Sequence, residues 1–174
     1  MSTPSVKLSV LVCKKFACIK IAGRANFTSS PDFKALLTGL IEKGYAHFII
    51  DLAECVLMDS TFLGVLAQFG MKMSPANNPG ACGIELLNAP PRITELLENL
   101  GVLHLFNVIN GPLQLPDDTT ISTPESVNPN RVEITRTCLE AHKTLMALNP
   151  ENEARFKDVT KFLAEDLKYM ENRS

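Results

Sequence analysis

The 174-residue chain is 45% hydrophobic and 21% charged, a globular composition with enough length for one core and a small appendage, and not that of a disordered chain. Its formal net charge is −2 and its lysines and arginines form no run, so a nucleic-acid partner is not expected. Its apolar runs fall far short of the ~20 residues that span a bilayer, and Met1-Ser2-Thr3-Pro4-Ser5-Val6-Lys7 lacks an apolar secretory core, so a cytoplasmic protein with no direct membrane insertion is expected.

Residues 6–12 and 16–22 are apolar, β-branched runs around Cys13-Lys14-Lys15, which predicts a hairpin. In the second run Phe16, Cys18 and Lys20 alternate with Ala17, Ile19 and Ile21. Gly23 to Ser29 then reads as a polar loop. Ser30-Pro31-Asp32 has the form of a helix start, with a capping hydroxyl, an early proline and an acid in the first turn. Phe33, Leu36, Leu37, Leu40 and Ile41 follow at helical spacing, and Gly44 closes that helix.

Residues 47–52 form a short apolar run suited to a buried strand, and a connector ends in Asp59-Ser60-Thr61. Leu63, Leu66, Phe69 and Met73 then mark one face of a second helix. This order delivers the Ser60 hydroxyl to the first turn of a helix, at the positive end of its dipole. Residues 74–80 are dense in turn formers, 83–88 read as a strand, and Pro91 opens a helix carrying Ile93, Leu96, Leu97 and Leu100. Residues 103–109 suggest a last short strand.

Strands alternating with helices predict an α/β fold: a mixed, mostly parallel sheet with helices packed on one face. Residues 1–111 are read as that domain. Residues 112–130, rich in proline and Ser/Thr, are read as a linker. Residues 131–174 carry two helical patterns, one with Ile134, Cys138, Ala141, Leu145 and Leu148, the other with Phe156, Val159, Phe162, Leu163, Leu167 and Met170. They predict a C-terminal helical hairpin that docks on the sheet domain or on another chain.

The five cysteines are an odd set without a Cys-x-x-Cys pair and read as buried thiols in a reducing compartment. His47, His104 and His142 lie far apart without metal-ligand spacing, so no metal site is expected. No Cys/His or Ser/His/Asp constellation and no phosphate loop is evident, so neither catalysis nor a cofactor is expected. No histidine lies near Ser60 in the sequence, which leaves that serine without a base. On the local pattern alone, Ser60 reads as a helix cap.

The chain resembles the STAS family, the sulfate-transporter and anti-sigma-factor-antagonist domain, in its stand-alone bacterial anti-sigma-factor-antagonist branch. The resemblance covers about residues 6–111. It rests on Gly23 after the second strand, on Ile50-Asp51-Leu52, on Asp59-Ser60-Thr61 followed by Leu63-Gly64-Val65-Leu66, and on Leu100-Gly101-Val102 leading into Leu105-Phe106-Asn107-Val108. It implies that Ser60 is phosphorylated by an anti-sigma factor that is a GHKL-type serine kinase. The unphosphorylated form would bind that kinase and free a sigma factor, and a PP2C-type phosphatase would reverse the mark. Thr61 is the alternative acceptor. Two positions depart from the pattern: Phe62 stands where glycine is usual, and Asn26 replaces an acid.

The expected partner surface comprises Asp59, Ser60, Thr61, Phe62, Asn26, Ser29 and Ser30, with Phe62 a partner contact because the apolar stripe of its helix starts at Leu63. The leading function is therefore a non-enzymatic, phosphorylation-switched regulator of an anti-sigma factor. A STAS subunit docked on a membrane transporter is the alternative. The C-terminal helices could pair two copies of the chain.

Overall fold

The computed structural model describes residues 6–173; the N-terminal pentapeptide considered above lies outside them. Strands β1 (Val6–Val12) and β2 (Ala17–Ala25) form the expected antiparallel hairpin. After α1 (Ser30–Glu42), strand β3 (His47–Asp51) pairs parallel to the first part of β2. Strand β4 (Cys55–Met58), read above only as connector, pairs parallel to the last part of β2. Gly23 makes this handover possible. Its φ of 92° sits at a register shift in β2, and its N–H donates to the Glu54 carbonyl at 2.9 Å. A glycine in this conformation allows a bulge that turns the strand without steric cost. β2 therefore runs on to Ala25, where a loop was expected.

Helix α2 (Ser60–Lys72) leaves the end of β4, and β5 (Gly83–Leu87), α3 (Pro91–Asn99) and β6 (Phe106–Ile109) complete the parallel part of the sheet. The strand order is β6-β5-β3-β2-β1-β7. The last of these, β7 (Thr120–Ser122), comes from the segment read as linker and pairs antiparallel with β1. That segment is held twice more: Asp118 accepts from the Lys14 N–H at 2.8 Å, and Asp32 accepts from the Val127 N–H at 2.8 Å. A three-residue strand with no apolar run carries little signal in sequence.

Period-two alternation sorts the sheet's side chains into two faces. Ala17, Ile19, Ile21, Phe48, Ile50 and Leu86 join residues of α1, α2 and α3 in one large core. Leu11, Cys18, Ile49 and Leu87 form a small cluster on the other face, against which Phe16, Ile109 and Leu113 pack. The helices contributing to the main core therefore lie on one face of the sheet, as expected.

Helices α4 (Arg131–Leu148) and α5 (Glu151–Asn172) form the expected hairpin, and it docks on this same layer. Ala141 and Leu145 of α4 belong to the main core. Asn152, at the start of α5, donates its amide to both the Leu100 and Leu145 carbonyls at 2.8 Å, which ties the hairpin turn to the end of α3. Helices α2 and α4 meet at Gly64 of α2, where a Cβ would stand 2.6 Å from both the Ala141 Cβ and the Ala141 carbonyl oxygen.

Gly64→Ala sets two effects against each other. Alanine is the better helix former by about 1 kcal/mol, whereas overpacking against a neighbouring backbone costs about 1–3 kcal/mol. Because Ala141 opposes the new methyl with backbone atoms, the clash wins. A net loss of up to about 2 kcal/mol is expected in urea unfolding, with faster amide exchange in α4. Unchanged or increased stability would show that the helices can separate freely.

Candidate functional site

The site forms where β4 ends. Asp59 is held in extended conformation, its N–H donating to the Ala25 carbonyl at 3.0 Å as β4 continues alongside β2. Its carboxylate has two jobs. Oδ1 accepts from the Phe62 N–H at 2.9 Å, which caps α2, and Oδ2 accepts from the Phe27 N–H at 2.7 Å, which fixes the loop between β2 and α1. One side chain thus registers that loop against the first turn of α2. Burial pushes the Asp59 carboxyl above its ordinary value, opposed by the Phe62 and Phe27 N–H bonds and by nearby His142.

Asp59, and not Ser60, is the cap. Ser60 occupies the first helical position, half-buried, and its Oγ lies 2.9 Å from Nε2 of His142 on α4. The other ring nitrogen, Nδ1, lies 2.7 Å from the Cys138 carbonyl oxygen one turn earlier. A carbonyl only accepts, so Nδ1 carries a hydrogen. In the neutral ring Nε2 is then an acceptor, and the Ser60 hydroxyl donates to it. His142 is 5% exposed and meets the Phe156 ring of α5 edge-on, with ring centres 4.9 Å apart. No histidine lies near Ser60 in the sequence, but the fold brings the His142 ring to it from 82 residues away in the chain.

The remaining expected site residues separate into buried and accessible ones. Thr61 is 4% exposed beneath α4, and its hydroxyl donates to the Cys138 sulfur at 3.4 Å, so it is withdrawn as an alternative acceptor surface. Phe62 is fully buried and stacks on Phe33 with ring centres 4.5 Å apart; it is a core residue and not the partner contact expected from sequence. Its ring turns toward α1, which extends the apolar face of α2 one residue before Leu63. Ser29 and Ser30 are buried, their hydroxyls donating to the Asn26 and Phe27 carbonyls at 2.9 and 2.8 Å. Ser30 does not cap α1 as expected, because its hydroxyl points back into the loop. Asn26 is half-buried and uses its side-chain oxygen to accept from the Thr28 N–H at 3.1 Å.

The large apolar residues that face outward at this corner are Phe27, Val56 and Leu57, with Arg24 and Thr28 exposed among them. The three apolar residues lie on the loop and the strand that meet at Asp59. No polar or catalytic motif marks them, so sequence reasoning passed over them. Among the described residues no group of histidine, cysteine or acidic side chains is placed to hold a metal ion. Burial pushes the Cys18 thiol up to about 12 and the Cys55 thiol up to about 11, which keeps both as unreactive thiols. No helix among the described residues is long and apolar enough to cross a membrane.

The STAS-domain profile matches residues 8–113, more than half of the chain. The chain belongs to the STAS domain family. No curated protein matches the sequence. An anti-sigma factor antagonist from Mycobacterium paratuberculosis has a similar structure, with a TM-score of 0.53 and 16% identity over 63% of this chain and 90% of that one. The anti-sigma factor antagonist SpoIIAA in its unphosphorylated form is also 16% identical, over 63% of this chain and 89% of that one, at a TM-score of 0.45. The first likeness shows a common fold.

The matched STAS region ends before α4 begins. Asp59 and Ser60 thus belong to the STAS domain, whereas His142 comes from the helices added after it. This makes Asp59 the residue whose role in the STAS fold is separable by pH. A carboxyl whose folded value is raised stabilises the fold fully below its unfolded value, and that contribution is lost as pH rises from 3.8 through the raised value. Asp59→Asn keeps an acceptor oxygen at the cap but does not titrate. The stability of the wild type relative to this variant is expected to fall with rising pH across that window and to be flat above it, measured by urea unfolding from about pH 3 to about pH 7. A relative stability that rises across the window would show that the two N–H bonds outweigh burial.

Proposed function

We propose that this STAS protein is an anti-sigma-factor antagonist, a protein-binding regulator whose affinity for its partner is switched by phosphorylation of Ser60. The observation that carries the reading is the Ser60 hydroxyl, half-buried at the start of α2 beside the outward-facing Phe27, Val56 and Leu57. A phosphoryl group there adds a charge of about −1.5 to −2 and three acceptor oxygens next to an apolar surface. A protein seated on that surface would lose its fit through repulsion and desolvation. The expected coupling is about 1–3 kcal/mol, a 5–150-fold loss of affinity. The fold itself need not change, because a helix N-terminus accommodates an anion.

The structurally similar Mycobacterium protein is an anti-sigma factor antagonist, which agrees with this reading. The partner class we infer is an anti-sigma factor acting as a GHKL-type serine kinase, with a PP2C-type phosphatase as the reversing enzyme and the cytoplasm as the compartment. The protein is a substrate in this scheme and not an enzyme. Val159 and Phe162 are exposed on α5 and offer a surface for a second copy.

The test is incubation of the full chain with ATP and the GHKL-type kinases encoded beside its gene, read by intact mass. The wild type is expected to gain one phosphoryl group, Thr61→Ala to gain it as well, and Ser60→Ala to gain none. A wild type that no such kinase modifies, or a Ser60→Ala variant modified as fully as the wild type, overturns Ser60 as the switch. Neighbouring genes for a permease and its ATPase would instead favour a transporter-docked STAS subunit.

A further inference from the structure

The hairpin brings one polar side chain to the site that the matched STAS region lacks. His142 is nine-tenths buried or more, both of its ring nitrogens are engaged, and its plane is held by Phe156 on one side and α2 on the other. A histidine used only to join two helices would serve with any donor or acceptor. Here the Cys138 carbonyl dictates the tautomer, and that tautomer leaves Nε2 unprotonated and aimed at the one hydroxyl of α2 that is still partly open to solvent.

We propose that His142 is the proton acceptor for phosphorylation of Ser60 and afterwards the counterion of the phosphate, which makes the C-terminal hairpin the reader of the phosphorylation state. The proposal rests on Ser60 being the phosphoacceptor. The kinase supplies ATP. As the bond from Ser60 Oγ to the γ-phosphorus forms, the bond from that phosphorus to the bridging oxygen breaks and its electron pair leaves on ADP. The hydroxyl proton passes to His142 Nε2. The resulting imidazolium has two N–H groups and a place for each: Nδ1–H stays on the Cys138 carbonyl, and Nε2–H donates to a phosphoryl oxygen. Such a charge-assisted bond is stronger than the neutral one it replaces.

The groups facing the ring suit this change. From the start of α2 comes the Asp59 carboxyl, close enough to feel the charge of the ring. On its own helix Cys138 is kept as a thiol by burial. Helix α5 presents the uncharged Phe156, and Lys34 of α1 is paired with Glu140 at 2.9 Å. The imidazolium would also offset the repulsion between Asp59 and a phosphate on the adjacent residue. Phosphorylation then tightens α4 on α2 instead of expelling it.

The test does not need the natural kinase. Phosphoserine is incorporated at position 60 of the full chain, and the ring nitrogens of His142 and the phosphorus are followed by NMR. In the unmodified chain Nε2 is expected to be unprotonated at neutral pH, and in the phosphorylated chain both nitrogens are expected to be protonated. The last phosphate proton should leave at a pH about one unit lower than in the His142→Gln variant, a tenfold change in its equilibrium. A ring that stays neutral beside the phosphate, or identical phosphorus titrations, overturns the counterion role. The nitrogen measurement on the wild type decides even where His142→Gln folds poorly. With any kinase that modifies the wild type, His142→Gln is expected to react at least about tenfold more slowly, at the low end of general-base effects, and to lose the wild type's fall in rate at acid pH. Equal rates and equal pH profiles overturn the base role. Failure of every kinase on the wild type counts against Ser60 as a natural acceptor, while the installed phosphate still tests His142.

Discussion

Everything distinctive about this molecule depends on how closely α4 lies on α2. Two helices carrying ordinary side chains at the crossing would sit farther apart, and their short polar groups would not meet. Gly64 presents no side chain to Ala141, so the backbones approach to contact. At that separation the side chains on either side of the crossing pair off: Ser60 with His142, Thr61 with Cys138, and Gln68 with Thr144 at 3.2 Å. A seam of matched polar groups specifies one arrangement, since any slip leaves a buried donor or acceptor unpaired.

Asp59 governs the other side of the site. Its two oxygens hold the first turn of α2 and the loop after β2 in one register, and that loop is further closed on itself by Ser29, Ser30 and Asn26. Most polar side chains of the loop are therefore spent internally, and the apolar Phe27, Val56 and Leu57 face solvent there beside Arg24 and Thr28. Exposed apolar side chains beside a half-open hydroxyl make a sensitive arrangement for a protein contact, because a phosphate there would change both its charge and its hydration. The departures from the family pattern have local explanations in the same frame. Phe62 fills core space against Phe33, and Asn26 bonds within its own loop.

The helices after the STAS region cannot be regarded as a loose tail. Ala141 and Leu145 are part of the main core, Asn152 grips the end of α3, and the intervening segment adds β7 to the edge of the sheet. They cover a face of α2 that includes Thr61, which narrows the accessible chemistry of the site to Ser60.

Local pattern was sufficient for much of this. Period-two alternation in β2, the helical spacing of α1, α2 and α3, and Pro91 at the start of α3 determined the element order and the layering, because burial of one face leaves a periodic trace in the residues themselves. The Asp59-Ser60-Thr61 turn at a strand-to-helix junction marked the candidate site. Only the tertiary structure decided which atoms meet there. The inward ring of Phe62, the short strands β4 and β7, and above all His142 against Ser60 depend on contacts between segments far apart in the chain. Nothing in the periodicity of α4 says which turn of α2 it will touch. That was settled by where two small residues, Gly64 and Ala141, allow two backbones to come together.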